Sequence, residues 1–432
     1  MLTPVFSIEQ TDEHLLFTIE APYAKIAETE IEYAEELFVF SSKPYFLRVH
    51  LPSHVLDDET GWAKYDSDSG TFSVAVPKRN KGEFFAGLEM ITELLRPRKK
   101  LPTARPAVEE VAGSSSPNFE ASDEDSDEEE YCMEQNPTRI LDNRSTNNER
   151  GYGFAWKRSG VLGSLIAEID KLIELKDPES SPINERAQQC VQRAIETFNG
   201  DHYLADTFEP DDQLENALLQ EYVVKTALSQ SDKKLLIELS RRKLTATTKT
   251  EDQLIANSLV DICFAFCYDG RTTDWEKTVE SGWTIVNLAP SLCWLARFDS
   301  PRDALIAGCY MALSRPLYRN WALCEKVFAD LKALFAAGRV ALTRALCKIH
   351  RLMVSSGEFR YLFNDLLLAD LLVWIQRVDE SLLSNVSAQL ERIELTRADL
   401  EGLNLDSLEM EGQVSAMQID DEEVLDSDDS PA

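Results

Sequence analysis

The sequence predicts a multidomain protein, with an all-β sandwich at the N-terminus and an all-α domain after it. Three observations carry this prediction. Residues 1–96 hold short β-rich runs with apolar alternation, residues 148–390 switch to the helical i, i+3, i+4 period, and a polar, acidic segment over 97–147 separates them. A second acidic stretch, 391–432, returns to low hydrophobicity and is expected to be a largely disordered tail.

In the first region the runs "VFSIEQ", "HLLFTIEAP", "LFVFSS", "YFLRVHLP" and "GTFSVAVP" are bounded by Pro, Gly, Asp and Ser, as strands of a small antiparallel sandwich would be. "YDSDSGTF", from Tyr65 to Phe72, supplies the polar and positive-φ residues of a hairpin loop and is expected to join two adjacent strands. "RPRKKLPTARP" and "SSSPNFEASDEDSDEEE" combine prolines with a block of like charge, so 97–147 reads as a disordered linker.

In the second region "SGVLGSLIAEIDKLIELKDP" sets Val161, Leu162, Leu165, Ile166, Ile169, Leu172 and Ile173 on one face of an expected amphipathic helix. Ser181 and Ser300 each precede a proline, which suits an N-cap followed by Pro at the first helical position. "TEDQ", from Thr250, resembles a capping box. "EFRYLFNDLLLADLLVWIQRV" is apolar nearly all round and is expected to be a central helix covered on several sides.

Charge and composition narrow the function. With 44 Lys plus Arg against 76 Asp plus Glu, the formal charge of -32 repels nucleic acid and favours a basic protein partner. The eight cysteines form no CxxC pair, and "MLTPVFSIEQ" lacks the pattern of a secretory signal, so a reducing cytosolic or nuclear setting is expected. No run reaches the roughly 18 to 20 uninterrupted apolar residues of a membrane span.

Catalytic and cofactor signatures are weak. "GYGFAW" has two glycines of a dinucleotide fingerprint but Trp156 at the sixth position, and no phosphate-loop lysine, "HExxH" or "GxSxG" occurs. Cys263 and Cys267 share a helical face, and His50 and His54 straddle Pro52, yet each pair supplies too few ligands for a metal, so no metal, cofactor or catalytic residue is expected. "GDHYLADTFEP" places His202 among Asp201, Asp206 and Glu209. Asp201 reads as an N-cap, Tyr203, Leu204 and Phe208 as a packing face, and the acids need not converge on the imidazole. Ser122 and Ser126 precede carboxylates, as in acidophilic kinase sites, and are candidate phosphorylation sites.

Read together, "YGFAWKRSGV", "DHYLADTFE", the long segment from "SLVDI" to "SLCWL", "RPLYRNW" and "FNDLLLADLLVWIQ" resemble the helical domain of the H/ACA ribonucleoprotein assembly chaperone family. "KPYFLRVHLP" and "YDSDSGTFSVAVPK" resemble its CS domain, a sandwich shared with small-heat-shock-type co-chaperones. The resemblance implies a non-enzymatic protein of the cytoplasm and nucleoplasm, acting as a monomer. It would hold the dyskerin-type pseudouridine synthase soluble before RNA loading, with its helical domain over the RNA-binding surface of the synthase. The resemblance further implies release with the pontin and reptin ATPases into H/ACA particles, including telomerase. Arg315 stands where the family more usually has an aromatic residue. An acidic scaffold or histone-type chaperone acting through charged tails is the alternative.

The candidate partner-binding residues are Tyr318 and Arg319, an aromatic and a cation beside Asn320, and Asp274, Glu276 and Glu280, expected on one exposed helical face. At least two of Trp275, Trp283 and Trp294 are expected in the core.

Overall fold

A computed structural model describes residues 1–58, 60–67, 69–95, 135–145, 149–357 and 359–414, in two compact units, Met1–Arg139 and Ile140–Ala432. In the first unit the strands are β1 (Val5–Gln10), β2 (His14–Glu20), β3 (Glu30–Ser42), β4 (Tyr45–Val55), β5 (Trp62–Asp66) and β6 (Thr71–Pro77). They form an antiparallel sheet of order β1-β2-β6-β5 and a hairpin of β3 with β4. Alternate residues point inward: Leu15, Phe17 and Ile19 on β2, Leu47, Val49 and Leu51 on β4, and Phe72, Val74 and Val76 on β6 are all buried. The sheets meet where Phe17 stacks on Phe38 at 3.9 Å and Phe40 meets Phe72 edge-on at 5.0 Å. The expected sandwich is therefore present.

The hairpin between Tyr65 and Phe72 joins β5 to β6 as expected, with Gly70 at φ 66 where a Cβ would come 2.8 Å from the Pro22 backbone. β5 itself was not legible in the sequence. "WAKYD" is an edge strand exposed along nearly its whole length, so it carries no apolar alternation to read. A short helix, α1 (Ile91–Leu94), follows.

Residues 135–145, placed in the linker by composition, are ordered. The Gln135 amide accepts from Arg48 N at 2.7 Å and donates to Arg48 O at 2.9 Å, and Thr3 bridges to Pro137. β7 (Asn143–Arg144) pairs with β8 (Arg158–Ser159) in the second unit. These contacts are made largely by backbone groups, which leave no trace in hydropathy. The rest of the linker lies outside the described residues.

The second unit contains α2 (Ile166–Ile169), α3 (Ile183–Thr197), α4 (Gly200–Phe208), α5 (Asp212–Leu219), α6 (Gln230–Leu239), α7 (Lys249–Thr272) and α8 (Ser281–Leu288). It continues with α9 (Pro290–Cys293), α10 (Pro301–Ser314), α11 (Trp321–Ala336), α12 (Arg339–Ser355), α13 (Ala369–Ile375) and α14 (Glu380–Arg392). The central helix is α7, buried at every position from Ile255 to Arg271 and packed by α8, α10 and α11. The 359–378 segment expected in that role is instead a π-helical turn, Asn364–Leu368, running into α13; it is buried, but against fewer neighbours.

Other helix expectations shift. α7 is capped by Thr248 with Glu251, two residues before Thr250. Ser300 caps α10 with Pro301 behind it, as expected, whereas at α3 Pro182 itself occupies the N-cap position and Ser181 makes no cap. The 161–173 segment is not one helix. Its apolar residues are buried except Ile166, but the Tyr152 hydroxyl accepts from Val161 N and Leu162 N, and the Glu179 carboxylate accepts from Gly160 N and Gly163 N. These tertiary partners hold the segment as short 3-10 and α turns.

Irregular backbone here needs donors, and one side chain supplies many. Arg186, fully buried, donates to the carbonyls of Gly151, Leu295, Arg150, Pro178 and Ser181. Burial lowers its pKa to about 10, against the opposing pull of Glu179. The unit also runs past residue 390, where a tail was expected. Leu400, Leu403 and Leu405 are buried, 405–414 is helical, and Tyr203 donates to Glu409.

Candidate partner-binding surface

The stretch around His202 organises helix docking. Asn199, not Asp201, caps α4, its Oδ1 accepting from His202 N at 3.0 Å. Asp206 lies one turn on, so its carboxylate does approach the imidazole: His202 Nε2 is 3.5 Å from Asp206 Oδ2 and 2.9 Å from Leu317 O. Asp206 Oδ2 also accepts from Arg319 N at 2.6 Å, and Asp206 O from Asn320 Nδ2 at 2.8 Å. Thus "DHYLADTFE" and "RPLYRNW" are each other's partners. Tyr203 is buried, while Phe208, expected on the same packing face, is largely exposed.

This docking removes Tyr318 from the candidate surface. Its ring is buried and its hydroxyl donates to Asp211 Oδ2 at 3.1 Å and Gln213 Oε1 at 3.0 Å, while its carbonyl accepts from Tyr268. Burial and the Asp211 carboxylate push its pKa up to about 12. Arg319 is half-buried, with Nε 3.3 Å from Pro316 O, and Asn320 caps α11. The expected exposed aromatic–cation anchor is therefore a structural joint. Arg315 pairs with Glu174 at 2.5 Å.

Asp274, Glu276 and Glu280 are exposed but do not share a helical face. α7 ends at Thr272, and Asp274 and Trp275 adopt left-handed φ of 52 and 61, which turns the chain into an irregular connection leading to Glu280, the N-cap of α8. The three acids line that connection. Beside it runs an acidic stretch of which only Asp201, Asp206 and Glu209 stood out in the sequence. Between Arg193 and Lys225 there are eight acidic residues and no Lys or Arg. Of these, Glu209, Asp211, Asp212, Glu215 and Glu221 are exposed on and around α5. Gln213 Nε2 donates to Thr272 O at 3.1 Å and Gln220 Nε2 to Asp274 Oδ1 at 2.8 Å, so the two acidic groups form one surface.

Apolar groups are embedded in it. Tyr222 stacks on Trp275 at 4.2 Å with the rings 9° apart, and Phe266 meets Trp275 edge-on at 5.6 Å. Leu219, Val223 and Val279 stand exposed on the same segments, as does Trp283, two residues into α8. Of the three tryptophans, only Trp294 is fully in the core, Trp275 is half-buried and Trp283 is at the surface, against the expectation that two would be interior.

Buried polar groups fix this surface from below. Arg271 and Asp330, both about 5% exposed at the side chain, form a bidentate pair, Nε to Oδ2 at 2.5 Å and Nη2 to Oδ1 at 2.9 Å. Arg271 Nη1 donates to Ala217 O at 2.7 Å and Gln220 O at 2.9 Å, tying α5 and the Tyr222 segment to α7. Burial raises the Asp330 pKa despite the pull of Arg271. Two residues before Arg271, burial pushes Asp269 up to about 6, opposed by Ser281 and Lys348. Asp261, which accepts from Ser291 N at 2.7 Å and Ser291 Oγ at 2.8 Å, is pushed up to about 7 by complete burial.

The remaining motifs are structural or lie elsewhere. "GYGFAW" forms a tight turn in which a Cβ on Gly153 would come 2.6 Å from Leu366 O. A cavity of about 20 Å³ beside Gly153, Trp156 and Ser291 has room for one water and none for a nucleotide. Cys263 and Cys267 are buried in α7, His54 sits 3.9 Å from Glu36, and no metal-type cluster of three ligands occurs among the described residues. No helix among those residues is long and apolar enough to cross a membrane. Ser122 and Ser126 lie outside the described residues.

The family model for the SHQ1 protein, Shq1 domain, matches residues 219–403, and that for the SHQ1-like CS domain matches residues 3–95. "Protein SHQ1 homolog" of Caenorhabditis elegans is 38% identical over 442 residues, spanning 100% of both chains. The chain belongs to the SHQ1 family. "Protein SHQ1 homolog" of Mus musculus is 33% identical over 444 residues, covering 98% of this chain and 76% of that one. "Protein shq1" of Schizosaccharomyces pombe is 29% identical over 425 residues, covering 92% and 94%. The two family models that match indicate no catalytic family. The candidate surface lies within the second unit and crosses the start of the Shq1-domain match: the 273–283 connection lies within 219–403, whereas α4 and α5 begin before it.

Proposed function

We propose that this SHQ1-family protein is an assembly chaperone for H/ACA small nucleolar ribonucleoproteins, acting in cytoplasm and nucleoplasm. It binds the dyskerin-type pseudouridine synthase before RNA loading, by occupying the RNA-binding surface of the synthase. Pontin and reptin act at its release, and telomerase is among the particles served. The observation that carries the reading is the single acidic surface made by Asp211, Asp212, Glu215, Glu221, Asp274, Glu276 and Glu280 around the Tyr222–Trp275 stack. A groove built to hold RNA is basic, and an acidic face complements it, steering encounter and keeping stray RNA out. The apolar groups set in that face supply the hold that exposed charge pairs lack. Association in this reading requires no nucleic acid and no catalytic step.

A pull-down of the synthase by the full chain tests it. H/ACA RNA should compete with the chain for the synthase. The variant Asp212→Lys/Glu215→Lys/Glu276→Lys should bind about tenfold or more weakly, chiefly through slower association. Retained binding by that variant, or binding indifferent to RNA, removes the mechanism. Binding to histones that depends on residues 415–432 would favour the acidic-scaffold reading instead.

A further inference from the structure

Immediately after the acidic stretch the charge reverses. Residues 225–249 carry seven Lys or Arg and two acids, in a chain whose net charge is -32. α6 lies in this segment and is unusual among the longer helices of the unit in burying only one residue, Asp232. That carboxylate closes a capping box with Ser229 and receives Arg351 at 2.7 Å and Arg344 at 3.4 Å from α12. The inner side of α6 is thus fastened by an ion-pair cluster rather than by an apolar stripe. Its aliphatic residues remain incompletely covered: Leu235, Leu236 and Leu239 are half-buried and Ile237 is 71% exposed.

Cations flank the exposed Ile237. Lys233 stands one turn before it on α6 with Lys234 next to it, Arg241 and Lys243 follow just past the last helical residue, Leu239, and all four are exposed. Lys234 reaches Glu238 only at 3.9 Å. Arg242 is the exception in the run, engaged inward with Asp370 at 2.6 Å.

We propose that α6 is a docking site for an acidic peptide segment of a partner protein, one that brackets aliphatic residues with carboxylates. The aliphatic pair would cover Ile237 and its leucine neighbours, and the carboxylates would meet Lys233, Lys234, Arg241 and Lys243. A helix of ten residues is about 15 Å long, so the site accommodates a short segment. An extended RNA would overrun it into the acidic 194–224 surface, and α6 offers Ile237 rather than an aromatic platform on which a base could stack. An anionic bilayer would meet the same acidic surroundings, with α6 fastened too firmly through Asp232 to turn its leucines outward. The site is separate from the acidic surface and does not rest on the reading of that surface.

Fluorescence anisotropy of the full chain tests the proposal, with a labelled synthetic peptide of Asp and Glu around a central Leu-Leu pair as probe. Saturable binding is expected that weakens as salt rises. It should fall about tenfold or more in Lys233→Glu/Lys234→Glu/Arg241→Glu and in Ile237→Asp, variants whose solvent-facing positions leave the melting temperature unchanged. A probe with Ser-Ser in place of Leu-Leu should bind more weakly, and Asp212→Lys/Glu215→Lys should bind the original probe as the parent does. The proposal falls if charge reversal on α6 leaves affinity unchanged. It falls equally if oligouridylate or phosphatidylserine vesicles bind more tightly through α6. Stronger probe binding after deletion of 415–432 would assign the site to the chain's own acidic tail and overturn the partner.

Discussion

Replacing Asp330 by Ala leaves the Arg271 guanidinium charged and buried with two of its donors, Nε and Nη2, unpaired. Removing one partner of a buried pair costs about 3–5 kcal/mol, because the remaining charge has lost its water and gained nothing. The double variant Arg271→Met/Asp330→Leu removes both charges, but it orphans the carbonyls of Ala217 and Gln220, which Arg271 Nη1 now satisfies. Each orphaned acceptor costs about 1 kcal/mol or somewhat more, so the double variant should lose about 2–3 kcal/mol, less than Asp330→Ala alone. Urea unfolding of the full chain, followed on tryptophan fluorescence in the transition of the helical unit, measures the parent and both variants. Because those carbonyls hold α5 and the Tyr222 segment, the double variant should also weaken the synthase binding proposed above more than its stability loss explains. An Asp330→Ala cost below about 1 kcal/mol, or a double variant less stable than Asp330→Ala, would refute the account of Arg271 as the fastener of the acidic surface.

Two further outcomes follow from the same region. Burial pushes the Asp269 carboxyl up to about 6, from the 3.8 of an ordinary aspartate, so the folded state binds a proton that the unfolded chain has released between those values. Stability contributed by that proton is present below the unfolded value and lost as pH rises through about 6. The loss is about 3 kcal/mol, with Asp261, near 7, adding a loss of the same sign. Urea midpoints across pH 4 to about 8 should fall accordingly, and Asp269→Asn should flatten the slope; an unchanged slope in the variant would assign the titration elsewhere. Gly270→Ala would place a Cβ 2.4 Å from the Trp275 ring, so the indole must leave its stack with Tyr222. A drop of several degrees in melting temperature, with altered Trp fluorescence, is expected; a neutral substitution would mean that the packing of Trp275 against α7 is loose.

What the sequence determined by itself is the division into a β and an α region, the hairpin at Gly70 and the cap at Ser300. Each is written in local chemistry: period-two or helical alternation, a glycine where φ is positive, a serine before a proline. The family, too, was legible, since "DHYLADTFE" and "RPLYRNW" are fixed pieces of chain. Tertiary structure decided what those pieces do. Tyr318 is an interior joint because Asp211, Gln213 and Tyr268 consume its polar groups, and no local pattern announces partners that lie some fifty to a hundred residues away. The 161–173 segment carried a perfect helical period and still folds as short turns, because Tyr152 and Glu179 claim its backbone donors. The acidic surface exists only because two left-handed residues end α7 and bring Asp274 to Gln220. Periodicity records which side chains seek burial, whereas the position of a charge on a surface depends on where the chain turns, and there the deciding forces are hydrogen bonds between residues far apart in sequence.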